Sequence, residues 1–404
     1  MKKRGMNARI QALRELSVNT QPHIDMERAK SETETYKKYE GQLSIPELRA
    51  QVLYDYFSTK TLYIGEGELI VGEKGDSPHA APTFPELCCH SVEDMHVMND
   101  RELINFKVKE EDYAYQEEVI IPYWEKRSTR HRIIENMTPE WKKCYAAGIW
   151  TEFMEQRGPG HTVGSFKLYE KGFLDYKEDI QKSIDALDYH KDPEAFAKRN
   201  QLRGMAKACD AVILLGERYA AYARELAAKC EDPVRKEELL QIAANCDVVP
   251  ANKPQTYWQA IQMYWFVHLG VTTELNPWDA YSPGRLDQHL NPFYEKDVED
   301  GILDDYKALE LLECLWVKFN NQPAPPKVGI TLKESSTYTD FANLNTGGIT
   351  PTGENGVNNV SYLILDCMDE MQLLQPSSNV QISRKTPQKF LKRACEISRK
   401  GWGQ

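Results

Sequence analysis

Carboxylates are concentrated in residues 272–290 (TTELNPWDAYSPGRLDQHL), a segment that directly follows a strongly apolar stretch. Carboxylates at this density belong either to a buried arginine–aspartate network or to a catalytic pocket. Arg285 and Asp287 fit the network, because side chains two residues apart can each tie a different element of the fold. Asp279 lies beside Trp278, and an aromatic neighbour that excludes water raises the pKa of a carboxyl group. The sequence therefore predicts Asp279 as the candidate for acid–base chemistry.

Two further segments place polar side chains where a small molecule could bind. His161 follows a proline flanked by glycines in residues 157–163 (RGPGHTV), a pattern typical of a tight turn, where a histidine is by default structural. Residues 328–333 (VGITLK) are predicted to form a strand that is followed by Ser335 and Asp340. Ligands bind at the carboxyl ends of parallel strands in many α/β proteins. A turn that caps a helix explains Ser335 and Asp340 equally well.

The cysteines and glycines give no further candidate site. The nine cysteines are an odd number without a repeated CxxC spacing, which favours reduced thiols over a disulfide framework. For the pair Cys88 and Cys89, structural thiols are the favoured interpretation and a reactive dithiol the alternative. No metal site is predicted, since no second ligand pair stands at zinc-finger spacing. Gly347 and Gly348 (NLNTGG) lack a following lysine and indicate a turn rather than a phosphate loop.

Composition narrows the classes of partner. The 404 residues carry a formal net charge of −11, which argues against nucleic acid or an anionic membrane, because phosphate binding needs clustered Lys and Arg. Hydrophobic residues make up 41% and charged residues 27%, as in an ordinary globular protein. The basic amino terminus is not followed by an apolar run, and the most apolar stretch, residues 257–269, is too short to span a bilayer. We therefore expect a cytoplasmic protein.

The helices and strands that position these residues are predicted from the spacing of apolar residues and from helix-capping and helix-ending residues. Thr256 is a helix N-cap signal, and Gln259 three residues later predicts a capping box. Helices are predicted over 183–247, from Thr256 onward, and over 302–319, 360–374 and 386–400; strands are predicted over 68–74, 328–333 and 379–384. Alternation of strands and helices in the last third favours βαβ units in a parallel sheet. The predicted fold class is α/β.

The longest apolar run and the segment after it also carry a family resemblance. Residues 246–269 (CDVVPANKPQTYWQAIQMYWFVHL) and 283–294 (PGRLDQHLNPFY), supported by 68–75 and 376–391, resemble the glycyl radical enzymes, the superfamily of formate acetyltransferase and the radical diol dehydratases. Within that superfamily the likeness is to the trans-4-hydroxy-L-proline dehydratases, over essentially the whole chain. The resemblance implies an α/β barrel of two half-barrels. Residues 1–250 would form a mostly helical region and residues 251–404 the first half-barrel.

The resemblance also implies a reaction and roles for five residues. A thiyl radical abstracts hydrogen from trans-4-hydroxy-L-proline, and loss of water gives 1-pyrroline-5-carboxylate. Asp279 would protonate the leaving hydroxyl, Phe153 would pack on the pyrrolidine ring, and His161 would join the hydrogen bonds around the pocket. Ser335 and Asp340 would hold the amino-acid head group, with Asp340 pairing with the ring ammonium. The partners implied are a radical S-adenosylmethionine activase, which installs a glycyl radical, and a second copy of the enzyme in a homodimer.

The end of the chain departs from the family pattern. The last helix follows a strand, and a βαβ pattern calls for a further strand there. Family members continue for roughly as many residues again, and their catalytic cysteine loop and glycyl-radical loop have no counterpart in this sequence. We therefore expect an N-terminal portion that is inactive by itself. The alternatives are another glycyl radical lyase, either a diol dehydratase or a formate acetyltransferase-like enzyme, and a non-catalytic truncated scaffold.

Overall fold

The described part of the chain is mostly helical and contains six short strands. The computed structural model describes residues 5–150, 158, 160–275, 278, 281–334 and 341–401. The helices are α1 (Ala8–Asn19), α2 (Glu27–Tyr39), α3 (Ile45–Thr59), α4 (Val92–Asp100), α5 (Glu110–Tyr115), α6 (Ile121–Trp124), α7 (Thr129–Asn136), α8 (Pro139–Ala146), α9 (Lys167–Glu170), α10 (Phe173–Asp185), α11 (Ala195–Lys229), α12 (Pro233–Val248), α13 (Tyr257–Glu274), α14 (Leu286–Glu299), α15 (Asp305–Asn320), α16 (Ile330–Glu334), α17 (Asn359–Met371) and α18 (Gln388–Ser398). A π-helical turn, Gln116–Ile120, joins α5 to α6. Within the described residues, no helix is long and apolar enough to cross a membrane.

Four of the six described strands form a small parallel array. The six strands are β1 (His23–Asp25), β2 (Ala80–Pro82), β3 (His161–Thr162), β4 (Tyr281–Ser282), β5 (Asn343–Gly347) and β6 (Ser377–Gln381). β3 pairs with β4, and all five residues of β5 pair with β6. A parallel bridge between Gly284 and Leu344 joins the two pairs, so that β3, β4, β5 and β6 lie side by side. β5, α17 and β6 form a parallel βαβ unit of the predicted kind, but its first strand is not the one predicted at residues 328–333.

Helix α13 lies in the main hydrophobic core and is buried around nearly its whole circumference, as its apolar sequence predicts. Its start agrees with the predicted cap: the Thr256 hydroxyl oxygen accepts a hydrogen bond from the Gln259 N–H at 3.3 Å. The reciprocal bond goes one residue further back, because the Gln259 side chain accepts from the Gln255 N–H at 3.0 Å. α13 leads directly into the segment before β4, so the core fixes where that segment begins.

The strand predicted over residues 68–74 is wrong, although the segment is extended and buried. Its backbone groups bond to side chains of α13 instead of to a neighbouring strand. The Gln262 amide both donates to the Val71 carbonyl oxygen at 2.8 Å and accepts from the Val71 N–H at 2.9 Å. Trp258 and Trp265 donate their indole N–H groups to further carbonyl groups of the segment. These bonds satisfy the buried backbone groups as the hydrogen bonds of a neighbouring strand would. The segment can therefore be apolar and extended, like a strand, without belonging to a sheet.

Two predictions in the last third are also wrong. Residues 328–333 contain the start of helix α16 rather than a strand; Gly329 has φ +79°, and the strand beside β4 is supplied by β5. The predicted turn at residues 343–348 is β5 itself, which ends at Gly347 and Gly348 with φ +78° and +74°. β-branched residues favour a strand at 328–333 only if a partner strand is available. Among the described strands none pairs with residues 328–333, whereas residues 343–347 pair with β6.

One buried charge cluster fastens the extended segment to helix α15. Lys318 is 1% exposed, and its ammonium group bonds to Glu68 at 2.6 Å and to Glu73 at 2.7 Å. Burial lowers the pKa of Lys318, but the two carboxylates outweigh burial and raise it above its ordinary value. A buried lysine with two carboxylate partners stays charged, so removing either carboxylate would leave uncompensated charge in the core.

Candidate active site

The sequence predicts five site residues, and one of them, His161, lies within the described part of the chain. Phe153, Asp279, Ser335 and Asp340 lie outside the described residues. The residues that flank their segments are described, however, and show where each segment joins the fold. The strands and side chains around these segments therefore define the geometry of the candidate site.

The flanking residues of the candidate segments meet one edge of the sheet. His161 is the first residue of β3, Asp279 stands two residues before β4, and Asp340 stands three residues before β5. β3, β4 and β5 are parallel neighbours, so the chain enters all three at the same, amino-terminal edge. The expectation that Ser335 and Asp340 follow the carboxyl end of a strand is wrong, since they follow α16 and precede β5.

His161 begins a strand rather than the predicted turn. Its ring meets the ring of Tyr281 edge-on, with centroids 5.2 Å apart and planes at 87°. Tyr281 is fully buried, which anchors this contact in the core. Gly284 has φ +68°, and a Cβ atom there would lie 2.7 Å from Cγ2 of Thr162, so glycine is required where β4 passes β3. His161 itself is exposed at the entry edge.

Asp287 closes the opposite, carboxyl-terminal end of the same strands. Its buried carboxylate accepts hydrogen bonds from the Gly347 N–H at 2.7 Å, from the Ser361 hydroxyl at 2.5 Å and from the backbone N–H that follows it at 2.8 Å. Burial raises the pKa of Asp287 to about 6, against the effect of these bonds. Arg285 donates to the carbonyl oxygen of Ile349 instead. Arg285 and Asp287 thus tie different elements, as predicted for a structural network.

The adjacent cysteines have the environment of structural thiols. Cys88 is fully buried and Cys89 is mostly buried. Burial, with a smaller effect of the neighbouring Cys88, raises the pKa of Cys89 to about 12. A thiol with so high a pKa is protonated at neutral pH and is a poor nucleophile. Among the described residues, no group of three or more His, Cys, Asp or Glu side chains is arranged to hold a metal ion.

Comparison with known proteins gives consistent matches along the chain. Residues 3–404 match the family model PFL-like, described as pyruvate formate lyase-like. The chain is 66% identical over 401 residues to trans-4-hydroxy-L-proline dehydratase of Clostridioides difficile, which covers 99% of this chain and 51% of that protein. It is similar to the crystal structure of hydroxyproline dehydratase from Clostridioides difficile with trans-4-hydroxy-L-proline bound, with a TM-score of 0.95 and 65% identity over 100% of this chain and 51% of the other. A structure concerned with 1,2-propanediol dehydration in Roseburia inulinivorans gives a TM-score of 0.90 and 28% identity over 99% and 50% of the two chains.

These matches confirm the α/β fold class and the resemblance predicted from the sequence. The chain spans about half the length of the curated relatives it matches. The two structural matches extend over nearly all of this chain, including the helices before β3 and the strands after α13. Because the family model matches residues 3–404, the chain belongs to the pyruvate formate lyase-like family.

Proposed function

We propose that the complete protein is a glycyl radical dehydratase that converts trans-4-hydroxy-L-proline into 1-pyrroline-5-carboxylate and water. The observation that carries the proposal is the convergence of the candidate segments on one sheet edge. His161, Asp279 and Asp340 stand at or just before three adjacent parallel strands. The 66% identity to a protein named for this reaction supports the same substrate.

Each candidate residue has a role that its chemistry can perform. Asp279 would deliver a proton to the leaving hydroxyl, so that the departing group is water rather than hydroxide. Asp340 would pair with the ring ammonium, Ser335 would hydrogen-bond the head group, and Phe153 would pack on the pyrrolidine ring. His161 would complete the hydrogen bonds at the entry edge. These are the binding and proton-transfer tasks that we assign to this chain.

The radical chemistry is assigned to residues beyond these 404. We propose that a glycyl radical, installed by a radical S-adenosylmethionine activase, generates the thiyl radical that abstracts hydrogen from the substrate. We further propose that the complete enzyme is a cytoplasmic homodimer. The chain of 404 residues alone is expected to give no turnover, because we assign hydrogen abstraction by the thiyl radical to residues that it does not contain.

The test is turnover by the complete, activated protein with trans-4-hydroxy-L-proline, followed by detection of the pyrroline product. Product formation at a rate well above that with 1,2-propanediol is the expected result. The rival is a diol dehydratase, which the fold similarity to the structure from Roseburia inulinivorans favours. Turnover of 1,2-propanediol without turnover of hydroxyproline would establish the rival and exclude the proposal.

A further inference from the structure

Two side chains from distant parts of the chain hold consecutive carbonyl groups of a proline-rich segment. Trp278 Nε1 lies 2.5 Å from the Pro325 carbonyl oxygen, and His90 Nε2 lies 2.8 Å from the Pro326 carbonyl oxygen. Residues 321–327 are buried, and proline has no N–H to donate, so the carbonyl groups carry the polar anchorage of this segment. We call this pair of bonds the proline staple.

The histidine of the staple is a fixed donor. A carbonyl oxygen only accepts hydrogen bonds, so His90 Nε2 carries the proton. Burial lowers the pKa of His90, which favours the neutral imidazole. The backbone of the residue is held as well, because Gln116 in the π-helical turn donates to the His90 carbonyl oxygen at 2.6 Å. Both the ring and the main chain of His90 are therefore fixed.

The indole ring of Trp278 also contacts Phe84 and Lys327. The centroid of the Phe84 ring lies 6.1 Å from that of Trp278, at 51°, and the Lys327 ammonium group lies 5.4 Å above the indole. A cation above an indole is an attractive contact. Lys327 belongs to the same proline-rich segment, so the indole contacts that segment through both its edge and its face.

The staple joins described residues that lie next to two segments of the candidate site. Trp278 immediately precedes Asp279, and the chain runs from Pro326 through α16 to Ser335 and Asp340. α16 is fastened in turn, since Arg101 donates to a carbonyl oxygen within it at 2.7 Å. We propose that Trp278 and His90 are positioning residues that set the distance between residue 278, directly before Asp279, and α16, directly before Ser335. This inference rests on the proposed function, in which the two segments act on opposite parts of one small substrate.

The distance between the two segments matters because Asp279, as proton donor, and the residues that bind the head group, Ser335 and Asp340, must contact one ligand at the same time. A displacement of about 1 Å in a catalytic group costs up to about 100-fold in rate. Loss of the staple is therefore expected to lower kcat strongly. A staple with only a structural role would change stability and leave kcat as it was.

Trp278→Phe removes the N–H donor and keeps an aromatic ring. Its matched control is Trp258→Phe, because Trp258 donates an equivalent bond to the Leu69 carbonyl oxygen at 2.9 Å, in the core. In the complete, activated protein, we expect Trp278→Phe to lower kcat for hydroxyproline about 10- to 100-fold. Trp258→Phe is expected to change kcat less than about twofold at a similar loss of stability. Equal kcat values for the two variants would overturn the proposal.

His90 gives an independent pair of variants. His90→Gln keeps an N–H donor at similar reach and is expected to retain most of kcat, whereas His90→Leu removes the donor and is expected to lower it. If both variants reduce kcat equally, the hydrogen bond is not the cause and the proposal fails. Amide hydrogen exchange at residues 327–334 adds a readout without substrate: it should accelerate in Trp278→Phe and His90→Leu and stay unchanged in Trp258→Phe.

The two proposals fail in different ways. If the unsubstituted protein does not turn over hydroxyproline, the proposed function is wrong, while amide exchange at residues 327–334 still shows whether the staple holds the segment. If the unsubstituted protein is active and Trp278→Phe matches it in both kcat and exchange, the staple is wrong and the proposed function stands.

Discussion

The two ends of the parallel strands are built for different purposes. At the carboxyl end, Asp287 is buried, and its carboxylate accepts hydrogen bonds from β5 and from the start of α17. The carboxylate therefore has a structural role, because it links these two elements. At the amino end, His161 is exposed, and the segments of Asp279 and Asp340 enter the sheet beside it. Ligands of open α/β sheets bind outside the carboxyl ends of the strands. Here Asp287 occupies the carboxyl end of β5, and we propose that the substrate binds at the amino end instead.

The largest effect is expected at the amino end. Asp279→Asn removes the proton donor and keeps the size of the side chain, so turnover should fall by about 10²- to 10⁴-fold while unfolding is unchanged. The measurement is kcat for hydroxyproline in the complete, activated protein. Asp300→Asn, at the exposed end of α14, is the matched control and should leave kcat unchanged. Full activity of Asp279→Asn would remove this residue from the proposed site.

At the carboxyl end, the expected loss is in stability. Asp287→Ala leaves the Gly347 N–H and the Ser361 hydroxyl without their buried acceptor. Leaving buried groups unpaired in this way should lower the free energy of unfolding by about 3 to 5 kcal/mol. Urea denaturation measures the loss, and the folded fraction should keep its KM within about twofold. A stable variant with a greatly raised KM would place Asp287 in the site instead.

The same carboxylate predicts a pH dependence. The pKa of Asp287 is raised from 3.8 to about 6 in the fold, so the folded state binds the proton more tightly than the unfolded state. Its contribution to stability is therefore present below about pH 4 and is lost as the pH rises through 6, by about 3 kcal/mol at 1.36 kcal/mol per pKa unit. Asp287→Asn should lack this part of the pH dependence. Asp25, whose pKa burial also raises to about 6, titrates in both proteins and serves as the internal reference.

A smaller effect on kinetics is expected for Asp340, which we propose binds the ring ammonium of the substrate. Asp340→Asn removes the charge that we pair with the ring ammonium and keeps a hydrogen-bonding side chain. KM for hydroxyproline should rise about tenfold, as expected for a partly solvated ion pair worth about 1.4 kcal/mol. The kinetic measurement separates this from the effect of Asp279, which should appear in kcat. An unchanged KM would mean that the ammonium binds elsewhere.

Local sequence patterns predicted the elements that are continuous and apolar. The cap at Thr256 and the apolar run after it placed α13, and the alternation of strand and helix predicted α17 and the strand after it, β6. Its neighbour Trp278 singled out Asp279, and the family resemblance supplied Phe153 and the roles of the other site residues. The segment around Asp279 was found because carboxylates stand beside aromatic, proline and glycine residues there, whereas the segment of Ser335 and Asp340 was found through a predicted strand at 328–333 that is helical in part.

Other features depend on contacts between residues that are far apart in the sequence. Residues 68–74 contain a short apolar run typical of a buried strand, but their partners are side chains of α13, almost 200 positions away. Lys318 lies within the apolar run of α15, and a lysine in such a run indicates a buried ion pair. The sequence does not show that its partners are Glu68 and Glu73. The proline staple is likewise invisible in the sequence, since His90 and Pro326 are 236 residues apart.

The most direct test of the account is a crystal structure of the complete protein with trans-4-hydroxy-L-proline. We predict the ligand at the amino-terminal edge of β3, β4 and β5, with its hydroxyl oxygen about 2.6–3.2 Å from the Asp279 carboxylate. Its ammonium group should face Asp340. A ligand bound at the carboxyl end, beside Asp287, would contradict the assignment of the two ends.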